Sequence, residues 1–76
     1  MITRKMEIRR FFAKNYLGIL HTIIEYQEYI SNATLSNPNS EMLGLKSWTT
    51  ATGIDVDQID SKTYKVCDTN EIIREV

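Results

Sequence analysis

The sequence is poor in the residues that mark specialised folds. Its 76 residues include one cysteine, one proline, one histidine and three glycines. A single cysteine excludes an internal disulfide framework and a multi-cysteine zinc site. The glycines are isolated from one another, which excludes a glycine-rich phosphate loop. A chain of this length predicts one small domain, residues 1–76, and excludes a multidomain enzyme or a nucleotide-binding βαβ fold.

The sequence also lacks a long apolar run. Its most apolar segment, residues 16–30, is interrupted by Glu25 and Glu28, whereas a membrane-spanning helix needs about 20 predominantly apolar residues. Residues 1–14 are basic, but no apolar run follows them as it does in a signal peptide. These absences predict a cytoplasmic protein with a reduced Cys67 and no membrane contact.

Positive charge is concentrated at the N-terminal end of the chain. Residues 1–14 carry a net charge of +4, and residues 15–76 carry a net charge of −5. The cations of the first segment are Arg4, Lys5, Arg9, Arg10 and Lys14. Because a basic end can bind an anion that the rest of the chain repels, these residues are candidate partner-binding or anion-binding residues.

Residues 3–31 predict one long amphipathic helix. No proline interrupts the segment, and Gly18 is its only poor helix former. Projected at about 100° per residue, the apolar side chains cover half of the helix surface, more than in an ordinary surface helix. Since so short a chain cannot cover that surface alone, we expect a homodimer through helix 3–31. Phe11 and Tyr29 project from the polar side and are candidate protein-contact residues.

The rest of the chain predicts a smaller C-terminal unit, residues 38–76, after a linker at 32–37 that is rich in serine, threonine and asparagine. Pro38 is a residue favoured in the first turn of a helix. Three apolar residues follow at a spacing of three: Met42, Leu45 and Trp48. They predict a second helix that stops near Gly53. The predicted fold class is therefore mainly α, with the long helix packed against a small helical unit.

The last part of the chain leaves alternatives open. Apolar residues alternate with polar ones in parts of 54–67, so a short strand pair is an alternative there. Residues 68–71 match a capping box, which favours a final helix through residue 76. A hairpin that turns at 68–70 and returns as strand 71–76 is the rival. We prefer the helix because the apolar residues near the end of the chain suit a period of 3.6 better than 2.0.

No residue pair stands out as catalytic. Cys67 and His21 are the only available thiol and imidazole, and nothing in the sequence brings them together. We interpret His21 as a helix-surface residue and Cys67 as a small buried hydrophobe. The sequence therefore predicts a protein without enzymatic activity, cofactor or metal.

Three aspartates, Asp55, Asp57 and Asp60, form an acidic cluster. A helix–loop–helix calcium site starting at Asp55 would need glycine at its sixth position and glutamate at its twelfth, but the sequence has Asp60 and Val66 there. A solvated acidic turn is the better interpretation. We add the three aspartates to Phe11 and Tyr29 as a candidate protein-contact surface.

Residues 45–60 also have features of a helix-turn-helix. Gly53, Ile54 and Ile59 match the spacing around its turn. With a strand at 63–66 and a closing helix, the order resembles the small winged-helix excisionases, and this resemblance implies DNA binding. The aspartates of the expected recognition helix argue against DNA binding, because they repel phosphate.

Two classes of function remain. The preferred one is a small non-catalytic regulatory or adaptor protein that binds another protein, in the manner of inhibitors encoded by mobile elements or phages. The alternative is a small nucleic-acid-binding regulator, winged-helix or helix-turn-helix-like, that uses the basic N-terminus. An enzyme is disfavoured because no acid, base or nucleophile occurs at a meaningful spacing.

Overall fold

The computed structural model describes residues 2–31 and 41–76, and it is built from strands. The six strands are β1 (Ile2–Lys14), β2 (Leu20–Ser31), β3 (Glu41–Thr50), β4 (Asp55–Gln58), β5 (Thr63–Val66) and β6 (Glu71–Glu75). Each strand pairs antiparallel with the next, and β6 returns to β1 to close a barrel. No helix occurs in the two described ranges, so none there could span a membrane.

The predicted mainly-α fold is therefore wrong. The segment 3–31, expected as one helix, forms β1, a tight turn and β2. The expected second helix is β3, and the expected final helix is β6. The two strand alternatives fit, because β4 pairs with β5 inside 54–67 and β5 pairs with β6 across the turn at 68–70. The predicted linker, 32–37, lies outside the described residues.

The turn between β1 and β2 is the feature that interrupts the expected helix. Gly18 has a φ of 80°, in the left-handed region that glycine adopts without strain. The side-chain oxygen of Asn15 accepts hydrogen bonds from the N–H groups of Leu17 and Ile19, both at 2.9 Å. Asparagine bonds of this kind stabilise turns in competition with helix. The following segment, β2, is rich in β-branched and aromatic residues, which favour strands.

The strands differ greatly in length. Strands β1, β2 and β3 have 13, 12 and 10 residues, whereas β4, β5 and β6 have 4, 4 and 5. The short strands cover only one end of the long ones, since β6 pairs with β1 at Ala13 and Lys14 and β4 pairs with β3 at Trp48 and Thr49. The other end projects as a three-stranded sheet, which we call the arm: residues 2–8, 26–31 and 41–47.

The arm gives the molecule more surface than a compact chain has. The molecule measures 54 × 21 × 20 Å, and its radius of gyration is 15.3 Å, against about 11 Å for a compact domain of this length. Its accessible surface is 5486 Å², which exceeds the value for a compact chain of its mass by about 700 Å².

The hydrophobic core lies inside the short barrel. Its buried residues come from five of the six strands: Ala13, Ile23, Val56, Tyr64, Val66 and Ile73. Tyr64 is fully buried at the centre, with ring centroids of Phe11 and Trp48 at 5.2 Å and 5.8 Å. Tilted aromatic pairs of this kind contribute about 0.5–1.5 kcal/mol each beyond the area they bury. Phe11, expected on an exposed helix face, therefore packs against the core.

Substitutions at two adjacent residues of β6, one buried and one exposed, test which side chains face the barrel interior. Ile73 is fully buried, whereas Ile72 is 48% exposed. We expect Ile73→Ala to lower the free energy of unfolding by about 2–5 kcal/mol, and Ile72→Ala to change it by about 0.5 kcal/mol or less. Urea unfolding followed by Trp48 fluorescence measures both. If Ile73→Ala unfolds the chain, Ile73→Val is expected to cost about 0.5–1.5 kcal/mol; equal costs at the two positions would contradict the fold.

Candidate functional site

Two bulges determine which side chains share a face of the arm. The β1–β2 register shifts between Glu7 and Arg9, so Ile8 is an extra residue and the alternation of faces reverses there. The β2–β3 register shifts where Gly44 and Leu45 lie opposite the single residue Glu28. Directly opposed residues share a face. The inner face, which continues the barrel interior, therefore carries Arg4, Met6, Gln27, Tyr29, Leu43 and Lys46.

The inner face is organised around Arg4. Its Nε and Nη2 atoms donate to the two carboxylate oxygens of Glu41, both at 3.1 Å. Its guanidinium also lies over the Tyr29 ring, 4.7 Å from the centroid. The hydrogen bond from Arg4 holds the pKa of Glu41 below its ordinary value. Arg4 thus joins β1 to β3 across β2 and partly covers Tyr29, which was expected to be exposed.

The base of the arm contains a cluster of charges. The Arg9 Nη2 atom lies 3.1 Å from a carboxylate oxygen of Glu25 and 3.0 Å from one of Glu75. Lys46 Nζ lies 3.4 Å from the other Glu25 oxygen. Glu25 is buried, and a buried carboxylate is costly unless it is paired in this way. The cluster therefore closes the barrel where the arm begins.

A further ion pair lies on the outer face of β1 and joins Glu7 of the arm to Arg10. Arg10 Nε donates to a carboxylate oxygen of Glu7 at 2.7 Å, and this bond lowers the pKa of Glu7. Lys5 shares the outer face, but it has no carboxylate within ion-pair distance in residues 2–31 and 41–76. Its opposite neighbour on β2 is Glu28.

The five basic candidates therefore do not form one basic surface. Arg4, Arg9 and Arg10 each contact a carboxylate. Lys5 lies on the arm and Lys14 lies on the barrel beside β6, and neither has a carboxylate partner among the described residues. The sequence did not reveal the pairs of Arg4 and Arg9 because their partners are distant in the chain.

The three aspartates are exposed on and after β4. Asp60 has a structural role, because its Oδ1 atom accepts hydrogen bonds from the N–H groups of Lys62 and Thr63 at 2.9 and 2.8 Å. These bonds lower the pKa of Asp60. Asp55 and Asp57 are exposed on the barrel rather than on the arm, and Asp57 lies beside the thiol of Cys67.

Two free strand edges are the feature that the sequence reasoning missed. Within the described residues, β1 has no backbone partner on its outer edge before Phe12, whose carbonyl accepts the N–H of Val76, and β3 has none before Trp48. Such an edge presents unpaired N–H and C=O groups that can bind another strand. The β3 edge also carries exposed apolar side chains, among which Leu45 is 80% exposed. The arm therefore combines backbone hydrogen-bonding groups with an apolar surface.

His21 and Cys67 have separate surroundings. His21 Nε2 lies 2.8 Å from a carboxylate oxygen of Glu71, in a strand rather than on the expected helix. Cys67, expected to be buried, is exposed, and partial desolvation together with Asp57 raises the pKa of its thiol. A raised pKa disfavours the reactive thiolate. Among the described residues, no group of three His, Cys, Asp or Glu side chains is placed to hold a metal ion.

No family model, curated protein or solved structure matches the chain.

The pKa values of the Glu41 and Glu7 carboxyl groups test the ion pairs on the inner and outer faces. We expect Arg4→Met to raise the pKa of Glu41 toward its ordinary value and to leave Glu7 unchanged, and Arg10→Met to do the reverse. NMR titration of the side-chain carboxyl carbons measures both. A carboxyl group with a lowered folded pKa stabilises the fold above its unfolded pKa, and this stability is lost as the pH falls through the folded pKa. An unchanged Glu41 pKa in Arg4→Met would contradict the inner-face pair.

Proposed function

We propose that this protein is a small non-catalytic regulatory or adaptor protein that binds other proteins through the arm. The observation that supports it is the projecting three-stranded sheet, whose two outer edges are unpaired within the described residues. Strand addition to an exposed edge is a common mode of protein recognition. A long free edge otherwise promotes aggregation, so we expect a partner to cover it.

A second copy of the chain is the partner that best fits the β1 edge. If two β1 strands pair antiparallel about Met6, Lys5 of each chain lies opposite Glu7 of the other. Opposite charges in directly opposed positions stabilise a sheet by about 0.2–1 kcal/mol per pair, and two-fold symmetry produces the pair twice. Residues 3–7 suit this pairing because they precede the bulge at Ile8. The proposed homodimer thus uses the segment 3–31, through a strand edge instead of a helix.

Nucleic-acid binding has less support. The helix-turn-helix interpretation needs helices, but residues 45–60 include the end of β3, a turn and β4, so the resemblance to winged-helix excisionases is not maintained. Three of the five N-terminal cations contact carboxylates, which weakens the attraction for phosphate. We therefore prefer a protein partner.

Charge reversal at the β1 edge tests the homodimer. Lys5→Glu turns both intersubunit pairs from attraction to repulsion, so we expect it to raise the dimer dissociation constant by about tenfold or more. The double variant Lys5→Glu/Glu7→Lys restores opposite charges and is expected to recover most of the affinity. Sedimentation equilibrium measures the dissociation constants, with Lys62→Glu as the charge-matched control.

Two outcomes of that experiment contradict the dimer model. A wild-type monomer at high micromolar concentration excludes the homodimer. Dimers of equal stability in all the variants exclude the Met6-centred register. The dimer would then form through the β3 edge instead.

Site-specific crosslinking tests whether the arm binds a different protein. A photo-crosslinking amino acid at Leu43, on the β3 edge, is expected to capture a discrete protein in the source cells, and the same group at Lys62 on the barrel is not. Analysis of the crosslinked species by mass spectrometry distinguishes the alternatives. Capture of nucleic acid from position 43, or equal capture from both positions, would argue against the arm as a protein-binding element.

A further inference from the structure

A groove of about 650 Å³ lies beside the β1–β6 ladder that closes the barrel. Its size falls in the range of about 300–1,000 Å³ that is typical of small-molecule sites. Three of its lining residues offer exposed apolar surface: Tyr16, Ile72 and Val76. Lys14 and Arg74 line it as well. The groove therefore combines apolar surface with two cations.

The two cations of the groove repel each other. Lys14 and Arg74 are directly opposed in a ladder that has only one other residue pair, and like charges in this position are destabilising. Neither has a carboxylate within ion-pair distance among the described residues. The segment 32–40 contains no acidic residue that could supply one. The closure of the barrel therefore carries two positive charges with no side-chain carboxylate within ion-pair distance among the described residues.

The two glutamates that line the groove are engaged with other residues. Glu71 lies 2.8 Å from His21 Nε2, and its other oxygen accepts a hydrogen bond from Asn15 at 3.1 Å. Glu75 lies 3.0 Å from Arg9 Nη2. Both carboxylates project from the inner face of β6, because Glu75 is opposed to the core residue Ala13. They leave Lys14 and Arg74 unneutralised on the outer face.

Asp60 is the third acidic group near the groove. The charge of Arg74 contributes only the smallest part of the lowered pKa of Asp60. One carboxylate oxygen of Asp60 already accepts the N–H groups of Lys62 and Thr63. Asp60 therefore stabilises its own turn and does not form an ion pair with Arg74.

The aromatic side of the groove is held in place by the β1–β2 turn. Tyr16 is 90% exposed, yet its turn is fixed by the buried Asn15, which accepts two backbone N–H groups and donates to Glu71. The N–H of Gly18 also bonds to the Asn15 carbonyl oxygen at 2.9 Å. Because the backbone of the turn is already ordered, binding does not have to order it. The turn thus presents Tyr16 beside the two cations.

We propose that this groove binds a small organic anion, specifically a carboxylate with an apolar body. Arg74 and Lys14 hold the carboxylate, since arginine bonds carboxylates through two parallel N–H groups. Tyr16, Ile72 and Val76 cover the apolar part. Binding supplies the missing negative charge and removes the repulsion across the ladder. The site lies outside the arm and does not depend on the proposed protein-binding function.

Dodecanoate, below its micelle concentration, is the probe. We expect dodecanoate to shift the amide NMR signals of residues 14, 16 and 74. Acetate, which lacks the apolar body, and dodecyltrimethylammonium, which has the opposite charge, are expected to leave these signals unchanged. Lys14→Gln and Arg74→Gln are each expected to weaken dodecanoate binding at least tenfold. Lys62→Gln makes the same change on the barrel, at a residue that does not line the groove, and is expected to leave binding unchanged.

Thermal unfolding without dodecanoate provides a second readout. Lys14→Gln removes the like-charge repulsion, so we expect it to raise the Tm by a few degrees and to reduce the further rise that dodecanoate causes. A lower Tm for Lys14→Gln would show that its charge is compensated and overturn the proposal. Equal binding of dodecyltrimethylammonium, or undiminished dodecanoate binding by Lys14→Gln and Arg74→Gln, would overturn it too.

Discussion

The structure depends on how little of β1 the closing strand can cover. Strand β6 has five residues and pairs with β1 only at Ala13 and Lys14, so the barrel closes at one end of a 13-residue strand. In the described chain, no strand lies on the outer edge of the rest of β1 or of the matching part of β3. The free edges of the arm follow from this mismatch in strand length, whereas the opposed cations Lys14 and Arg74 follow from the register of the short closing ladder.

The transition from barrel to arm requires polar residues in the interior. Below the transition, Tyr64 and the aliphatic residues around it exclude water. Above it, the sheet has no second layer in the described residues, so an apolar interior would be exposed. Arg9 and Lys46 on either side of the buried Glu25 provide an end to the core, at the desolvation cost that buried ion pairs carry. This arrangement allows a core of few residues to support a sheet that extends well beyond it.

Part of this fold was accessible from the sequence, namely the β4–β5 pair and the rival hairpin at 68–70, but β1 and β2 were not. The extra residue Ile8 reverses the alternation of faces, so the inner positions are even-numbered before it and odd-numbered after it, and no period of two runs through β1. In β2, Ile23, Ile24 and Glu25 are buried in succession, which hides the alternation and imitates the wide apolar arc of a helix. Asn15 and Gly18 were the available turn signal, and Gly18 was interpreted only as a weak helix former.

The uneven charge distribution is explained mainly by contacts within the chain. The acidic residues that follow β1 in sequence fold back onto it: Arg4 meets Glu41, and Arg9 meets Glu25 and Glu75. Contacts between residues so far apart in sequence are fixed by topology, which the helical interpretation had wrong. Among the described residues, the cations of β1 without a carboxylate within ion-pair distance are Lys5 and Lys14. Lys5 lies on the free edge of the arm and Lys14 in the groove, so the charge left unneutralised by folding falls on the two surfaces that also expose unpaired backbone or apolar side chains.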